Sequence, residues 1–164
     1  MVICAATMTK LDDKDKKILH ELQENCRQSS RDLSKKLDLP ASTIHQRIKK
    51  LEKAGIISGY TAIVDPEKVG YNSSAIIFIE FSYHDAKKNN MSQETIVEKI
   101  SKLPNVQEAH MVTGFEDIVI KVVGKTDRDI GAFVIKTLRE IPGILKTKTG
   151  IILASSKDSR RISL

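Results

Sequence analysis

The sequence predicts an α+β protein in two parts: a three-helix, winged-helix-like helix-turn-helix domain, then a βαββαβ domain of the ferredoxin-like class. Hydrophobic residues recur with a helical period up to about residue 56, and turn signals near residue 40 separate the last two helices. From residue 73 the apolar residues follow a strand pattern that two helical segments interrupt. We expect a disordered N-terminal extension (1–10), the helix-turn-helix domain (11–56), a linker strand (57–72), the ferredoxin-like domain (73–157) and a C-terminal tail (158–164).

Three helices are predicted in the N-terminal domain. The first runs from about Asp13 to Glu24, and the second begins at an N-cap that we place at Ser30. Pro40 ends the second helix and suits the first turn of the third, because a proline disfavours the α conformation in the residue before it. The third helix, from about residue 40 to 54, ends at Gly55 and has a core stripe of Ile44, Ile48 and Leu51. Residues 56–64 then read as an extended strand.

The C-terminal domain alternates strands with helices. The polar run from His84 to Asn90 is expected to break the chain after the first strand. Ser92 is the expected cap of one helix, and Thr126 with Asp129 resembles a capping box for another. Predicted strands span residues 75–81, 106–113, 117–123 and 144–154, with the middle two joined in a hairpin at Gly114. Because both faces of strand 117–123 are apolar, we expect a second copy of the domain to cover the open face.

Composition permits a polyanionic partner without proving one. Lys and Arg total 27 against 21 Asp and Glu, a net charge of +6, although each half of the chain carries the same excess. Cys4 and Cys26 lack the spacing of a zinc site or a disulfide framework, so we expect free thiols in the cytoplasm and neither a metal nor a cofactor. No apolar run reaches the ~18 residues that a membrane span needs, which predicts a soluble protein. Met8 is an alternative start to Met1.

The third predicted helix presents a surface suited to double-stranded DNA. Opposite its core stripe lie small hydroxyl, amide and basic residues, which are Ser42, Thr43, His45, Gln46, Lys49, Lys50 and Lys53. Gln46 can offer a bidentate amide to adenine, and the lysines can neutralise phosphates. Arg47 is also a candidate DNA-binding residue, but it lies nearer the buried flank and suits a DNA-backbone contact or a packed salt bridge better than base recognition. The alternative is an ordinary solvated helix face in a basic protein.

The sequence resembles the Lrp/AsnC (leucine-responsive, or feast/famine) regulators of bacteria and archaea. The likeness covers about residues 11–157. In the N-terminal part it rests on Leu11, Asp12, Asp15, Ile18, Leu19, Leu22, Arg27, Leu33, Leu37, Ser42, Thr43, Ile44, Arg47, Ile48, Leu51, Glu52, Gly55, Ile56, Ile57, Tyr60, Asp65, Pro66 and Gly70. In the C-terminal part it rests on Val112, Thr113, Gly114, Asp117, Ile141, Pro142, Gly143, Thr147, Lys148 and Thr149.

The resemblance implies a transcription regulator that binds palindromic promoter DNA. It implies homodimers paired through the C-terminal modules, often assembled further into octamers. Two positions depart from the family pattern. Pro40 replaces a serine-like cap, which leaves Ser42 available for that role, and Glu116 replaces an aromatic residue, which puts the usual effector in doubt.

The resemblance also implies an amino-acid effector site. It would use Thr113, Gly114, Phe115, Glu116, Asp117, Thr147 and Thr149, closed by a neighbouring subunit. Gly114 can expose backbone amides to a ligand carboxylate, and Asp117 can accept from an ammonium group. Glu116 would then favour a cationic side chain such as lysine over leucine. The alternative is that Gly114 only makes the hairpin turn and both acids are solvated.

Two other functions are alternatives to a regulator. The four histidines stand far apart without acidic or cysteine partners at ligand spacing, and no phosphate loop or nucleophile elbow is present, which argues against an enzyme. Some haem-pathway decarboxylases are similar to this family, and His110 would be the acid in such an enzyme. A metabolite-binding or assembly protein that does not bind DNA is the other alternative.

Overall fold

The computed structural model describes residues 10–164. The predicted disordered extension and alternative start therefore fall almost wholly outside the described residues. The described residues form two compact units: one contains residues 10–63 together with Asp158–Leu164, and the other contains Val64–Lys157. Among the described residues, no helix is both long and apolar enough to cross a membrane.

The first unit contains three helices, α1 (Asp13–Glu24), α2 (Ser30–Leu37) and α3 (Ala41–Lys53). Three residues, 38–40, join α2 to α3, which confirms the predicted helix-turn-helix. The buried hydrophobic side chains are Ile18, Leu19, Leu33, Ile44 and Leu51, and the last two belong to the stripe predicted for α3. This small core fixes which face of α3 points away from the unit.

The helix ends correct two predictions. The N-cap of α2 is Ser29 and not Ser30, because only Ser29 has an acidic residue, Asp32, at the third helical position to complete a capping box. The N-cap of α3 is Pro40, with no side-chain cap, so Ser42 does not take that role. At the other end of α3, Gly55 has φ +70° and its N–H donates to the Glu52 carbonyl, which is the left-handed helix stop that the sequence predicts.

The linker is not a strand in this chain. Residues 54–65 form no strand, and a short 3₁₀ helix follows at Glu67–Val69. Ile63 is 90% exposed and Val64 is 57% exposed. The segment has the side chains of a strand, but a strand also needs a partner for its backbone groups, and the described part of the chain supplies none.

The second unit is a βαββαβ sandwich, as predicted, with all strand pairs antiparallel and the spatial order β2-β3-β1-β4. Its strands are β1 (Ser73–Phe81), β2 (Val106–Met111), β3 (Ile118–Gly124) and β4 (Ile144–Ile151). Its helices are α4 (Tyr83–Lys88), α5 (Gln93–Ser101) and α6 (Asp127–Phe133), and a π-helical turn, Val134–Leu138, continues α6. The prediction missed α4, which begins at a Ser82 cap that accepts from the Asp85 N–H within the polar run.

Helices cover one face of the sheet. Alternate residues of β1 and β3 point into this core, which includes Ile77, Ile79, Ile118, Ile120 and Val122. Gly143, before β4, has φ +95°, and a Cβ there would lie 2.9 Å from Ile96 Cδ1. Two strands are shorter than predicted. β2 ends at Met111 and not at residue 113, and β4 ends at Ile151 and not at residue 154.

Candidate nucleic-acid interface and effector site

The exposed face of α3 carries most of the predicted DNA-binding residues. Ser42, His45, Gln46, Lys49, Lys50 and Lys53 are exposed, and Thr43 is half-buried. Within residues 10–164 the three lysines and Gln46 have no hydrogen-bond or ion-pair partner. A helix face with unpaired positive charge and a free amide can exchange its hydration for phosphate and base contacts.

Arg47 stands apart from this face. Its guanidinium Nη1 lies 2.7 Å from Asp12 Oδ2 and 2.6 Å from Asp15 Oδ1, so the packed salt bridge that the sequence favours for Arg47 is present. Both aspartates belong to the capping box of α1. The Asp15 backbone N–H, and then Arg47, hold the pKa of the Asp12 carboxyl below its usual 3.8, while the two aspartates raise the pKa of Arg47. Arg47 therefore ties α3 to the start of α1.

The acid on α3, Glu52, has its own partner. The Tyr60 hydroxyl donates to Glu52 Oε1 at 2.9 Å. Burial, followed by this hydrogen bond, raises the pKa of Tyr60 to about 12. The phenol therefore stays protonated as the donor and engages the carboxylate that follows Lys49 and Lys50 along the helix.

The predicted effector turn is anchored by Asp117. Its Oδ2 accepts from the Phe81 N–H at 2.8 Å, and its backbone N–H donates to the Ile79 carbonyl at 3.1 Å. Gln93 of α5 donates to the Asp117 carbonyl at 3.1 Å and accepts from the Tyr83 hydroxyl. One carboxylate oxygen of Asp117 is thus committed to the fold.

The tip of the turn projects into solvent. Thr113, Gly114 and Phe115 are exposed, and Gly114 has the positive φ that the turn requires. Glu116 forms an ion pair with Lys148 at 2.5 Å, which raises the pKa of Lys148. Its charge is balanced from within the chain, which removes the basis for expecting a cationic ligand at Glu116.

The two threonines of β4 lie on the other face of the sheet from Lys148. Thr147 pairs with Ile79 and Thr149 with Ile77, both of which point toward the helices. Thr149 lines a cavity of about 330 Å³ with Ile130, Ile135 and Arg139. The chain therefore brings Glu116 to Lys148 and does not gather the whole predicted effector set into one enclosed pocket.

Lys148, Gln93 and Tyr60 position these surfaces, a role that the sequence does not predict for them. Lys148 and Tyr60 were present in the family pattern, but their partners lie 32 and 8 residues away along the chain. For Gln93 the sequence held no usable signal, since an amide in the first turn of a helix is common.

Two family profiles match the chain. One, described as "Winged helix-turn-helix DNA-binding", matches residues 11–58, and the other, "Lrp/AsnC ligand binding domain", matches residues 74–162. Together they define a DNA-binding protein with a separate ligand-binding module. Since the second profile alone covers more than half of the 164 residues, the chain belongs to the Lrp/AsnC family of transcriptional regulators.

Similar proteins and solved structures support the same family assignment. The HTH-type transcriptional regulator FL11 of Pyrococcus furiosus is 36% identical over 152 residues, covering 93% of this chain and 95% of that protein. The transcriptional regulator AzlB of Bacillus subtilis is 37% identical over 147 residues, covering 90% and 91%. The structure of E. coli AsnC is 30% identical with a TM-score of 0.81, covering 94% and 99%. A Neisseria meningitidis transcriptional regulator solved with L-Met is 29% identical with a TM-score of 0.83, covering 93% and 96%.

The protein is therefore a DNA-binding transcription regulator. Its family consists of transcriptional regulators and not of enzymes, so neither the decarboxylase nor a protein that does not bind DNA describes it. His110, the candidate acid of the decarboxylase alternative, is exposed on β2, with its Nε2 3.5 Å from Glu108 Oε2.

Replacing Arg47 by methionine tests its structural role. The change keeps an apolar stem but leaves the buried Asp15 carboxylate without its cation, and we expect a loss of about 1–3 kcal/mol in the free energy of unfolding. Urea denaturation at pH 7 measures it. Lys99→Met, on the exposed surface of α5, is the control and should change stability by less than about 0.5 kcal/mol.

The pH dependence gives a second readout of the same pair. Because the folded-state pKa of Asp12 is lowered, its stabilising contribution is present above its usual pKa and is lost as the pH falls through the lowered value. The wild type should therefore lose more stability than Arg47→Met between pH 5 and pH 2. Equal losses would contradict the assignment.

Proposed function

We propose that this regulator acts in the cytoplasm as a dimer on palindromic operator DNA, reading bases with the exposed face of α3 and responding to an amino acid. The observation that carries the proposal is the set of unpartnered Lys49, Lys50 and Lys53 beside Gln46, on the helix face opposite Ile44 and Leu51. A helix with such a face fits the major groove, where an amide can pair with adenine and lysines can reach the phosphates on either side.

Ser42 and Thr43 extend this proposed interface at the start of α3. The first turn of a helix exposes backbone N–H groups and the positive end of the helix dipole, and short hydroxyl side chains add further donors. His45 flanks the same surface. Arg47, also a predicted DNA-binding residue, supports the interface indirectly by holding α3 against Asp12 and Asp15.

Gln46→Ala should relax base preference, while Lys49→Ala or Lys50→Ala should weaken binding to all DNA. A lost bidentate contact costs about 1–3 kcal/mol on the preferred sequence, whereas a lost phosphate contact lowers the salt dependence of every complex. Operators selected from random DNA, followed by binding titrations at several salt concentrations, measure both effects. Gln107→Ala and Lys99→Ala on the C-terminal module are the matched controls. Equal losses on specific and random DNA for Gln46→Ala would contradict base recognition by Gln46.

The open face of the sheet supports the dimer. Ile76, Phe78, Val119 and Val123 point away from the helices, and Phe78 is 39% exposed. No element of this unit covers this face, since its helices lie on the other side of the sheet, and apolar area left in water costs about 25 cal/mol per Å². A second copy of the same sheet is the cover of matching shape, and a two-fold dimer would present two α3 helices to a palindrome.

Phe78→Lys should lower the oligomeric state, because burying a lysine against a second sheet leaves its charge unpaired. Light scattering of the full chain at micromolar concentration measures this against a chain mass of 18.3 kDa. The control is Ile135→Lys, which changes an exposed apolar residue on the helix side of the sheet. A monomeric wild type would contradict the proposed dimer, whatever the variants do.

The effector part of the proposal rests on the turn after β2. Gly114 offers backbone donors, Asp117 keeps one free carboxylate oxygen, and the exposed tip requires a neighbouring subunit to enclose a ligand. The ligand-binding domain profile supports a small-molecule effector, and the L-Met complex of the Neisseria relative makes an amino acid the first class to test. Since Lys148 balances Glu116, we propose an uncharged amino-acid side chain in place of a cationic one.

Calorimetry with methionine, leucine and lysine tests the site. We expect an uncharged amino acid to bind the wild type more tightly than lysine does. Lys148→Met should then shift the preference toward lysine by about tenfold, because it leaves the charge of Glu116 uncompensated near the surface. No heat from any of the common amino acids would leave the turn purely structural, and lysine binding most tightly to the wild type would restore the cationic preference.

A further inference from the structure

The segment Asp158–Leu164 belongs to the DNA-binding unit, although the chain reaches it only after completing the other unit. The backbone N–H of Ile162 donates to Gln23 Oε1 at 2.7 Å, and Gln23 Nε2 donates back to the Ile162 carbonyl at 3.0 Å. This reciprocal pair satisfies both backbone groups of Ile162 with one side chain of α1. Such a contact fixes a position along the segment and does not depend on the side chain of residue 162.

Two further contacts set the direction of the segment. Arg161 Nη1 lies 2.5 Å from Glu24 Oε1, and Leu164 lines a cavity of about 220 Å³ whose walls include Lys17 and Leu37. From residue 161 to 164 an extended chain advances ~10 Å. Seven residues of helix, from Glu24 back to Lys17, also span ~10 Å. The segment therefore runs antiparallel to α1, and the two cover the same length.

The face of α1 that receives the segment lies away from its core face. Lys16, Lys17, His20 and Gln23 recur at helical spacing on the outside of α1, whereas Ile18 and Leu19 are buried in the core. The segment thus occupies a surface that the three-helix core leaves unused. The contacts of Arg161, Ile162 and Leu164 described above involve α1 and Leu37, and they leave Ser42, Gln46 and the lysines of α3 unoccupied.

We propose that residues 158–164 form a strap. The strap leaves the ligand-binding module at residue 157 and binds α1 noncovalently, so the DNA-binding unit has a second attachment to the module in addition to the linker before β1. A unit held by one flexible connection samples many orientations, and binding two half-sites at once must suppress them. A second connection reduces that entropic cost. The strap therefore acts on binding across two half-sites and not on the contacts of either α3. This role rests on the proposed dimer on palindromic DNA.

Ending the chain after Lys157 tests the strap. We expect binding to DNA with two half-sites to weaken about tenfold, as the effective concentration of the second recognition helix falls, and binding to a single half-site to change by less than about twofold. Equal weakening on both DNAs would overturn the proposal, because it would mean that the segment contacts phosphates directly or stabilises α3 itself.

A charge swap supplies the matched control. Glu24→Arg and Arg161→Glu should each weaken two-half-site binding by about threefold, and the double variant should restore it, because only the pair is rebuilt. If these charges acted through DNA phosphates, Arg161→Glu would weaken and Glu24→Arg would tighten binding to both DNAs. That pattern, or a double variant no better than the singles, would contradict the strap.

Crosslinking determines whether the strap closes within one chain. Gln23→Cys and Ile162→Cys are introduced with Cys4→Ser and Cys26→Ser, and a short bismaleimide is added to the full-length protein. We expect an internally linked single chain; a covalent dimer or no link would overturn the proposal. The crosslink does not depend on DNA. If the wild type bound DNA with two half-sites no more tightly than DNA with one, the proposed dimeric recognition would be refuted, but the crosslink would still report the contact between residues 23 and 162.

Discussion

The ion pair between Arg47 and the two aspartates at the start of α1 ties α3, the proposed recognition helix, to the first helix of its unit. Its partners Asp12 and Asp15 also cap α1, so one cluster begins the first helix and holds the third. Asp15 is buried, and its charge is tolerated in the core because Arg47 reaches it. With this anchor in place, the apolar stripe of α3 faces the core and its lysines face outward.

The ligand-binding module follows a similar arrangement, in which one acid holds a functional loop. Asp117 accepts from the Phe81 N–H at the end of β1, and Gln93 holds its carbonyl from α5. The turn therefore rests on two elements while its tip stays in solvent. In the proposed dimer, a neighbouring subunit would complete such a site and would also cover the apolar face of the sheet. Ligand binding and assembly would then share one set of surfaces.

The sequence predicted the elements whose signal is local. Helical spacing of Ile44, Ile48 and Leu51 identified the outward face of α3, and strand alternation identified both faces of β3. Placing the α2 cap at Ser30 missed by one residue, because adjacent serines differ only in whether an acid follows at the third position. The prediction of a linker strand was wrong because a strand also needs a neighbouring strand for its backbone hydrogen bonds. Contacts such as Gln23 with Ile162, 139 residues apart, depend on the tertiary fold and leave no periodic trace.

In the function proposed above, the outward face of α3 is the surface that contacts DNA. Acetylation of lysines in the presence and absence of operator DNA, followed by mass spectrometry, tests it directly because it reports each lysine separately. DNA should protect Lys49, Lys50 and Lys53 and leave Lys87 and Lys88 of the C-terminal module reactive. Protection of the module lysines, with those of α3 still reactive, would contradict the claim.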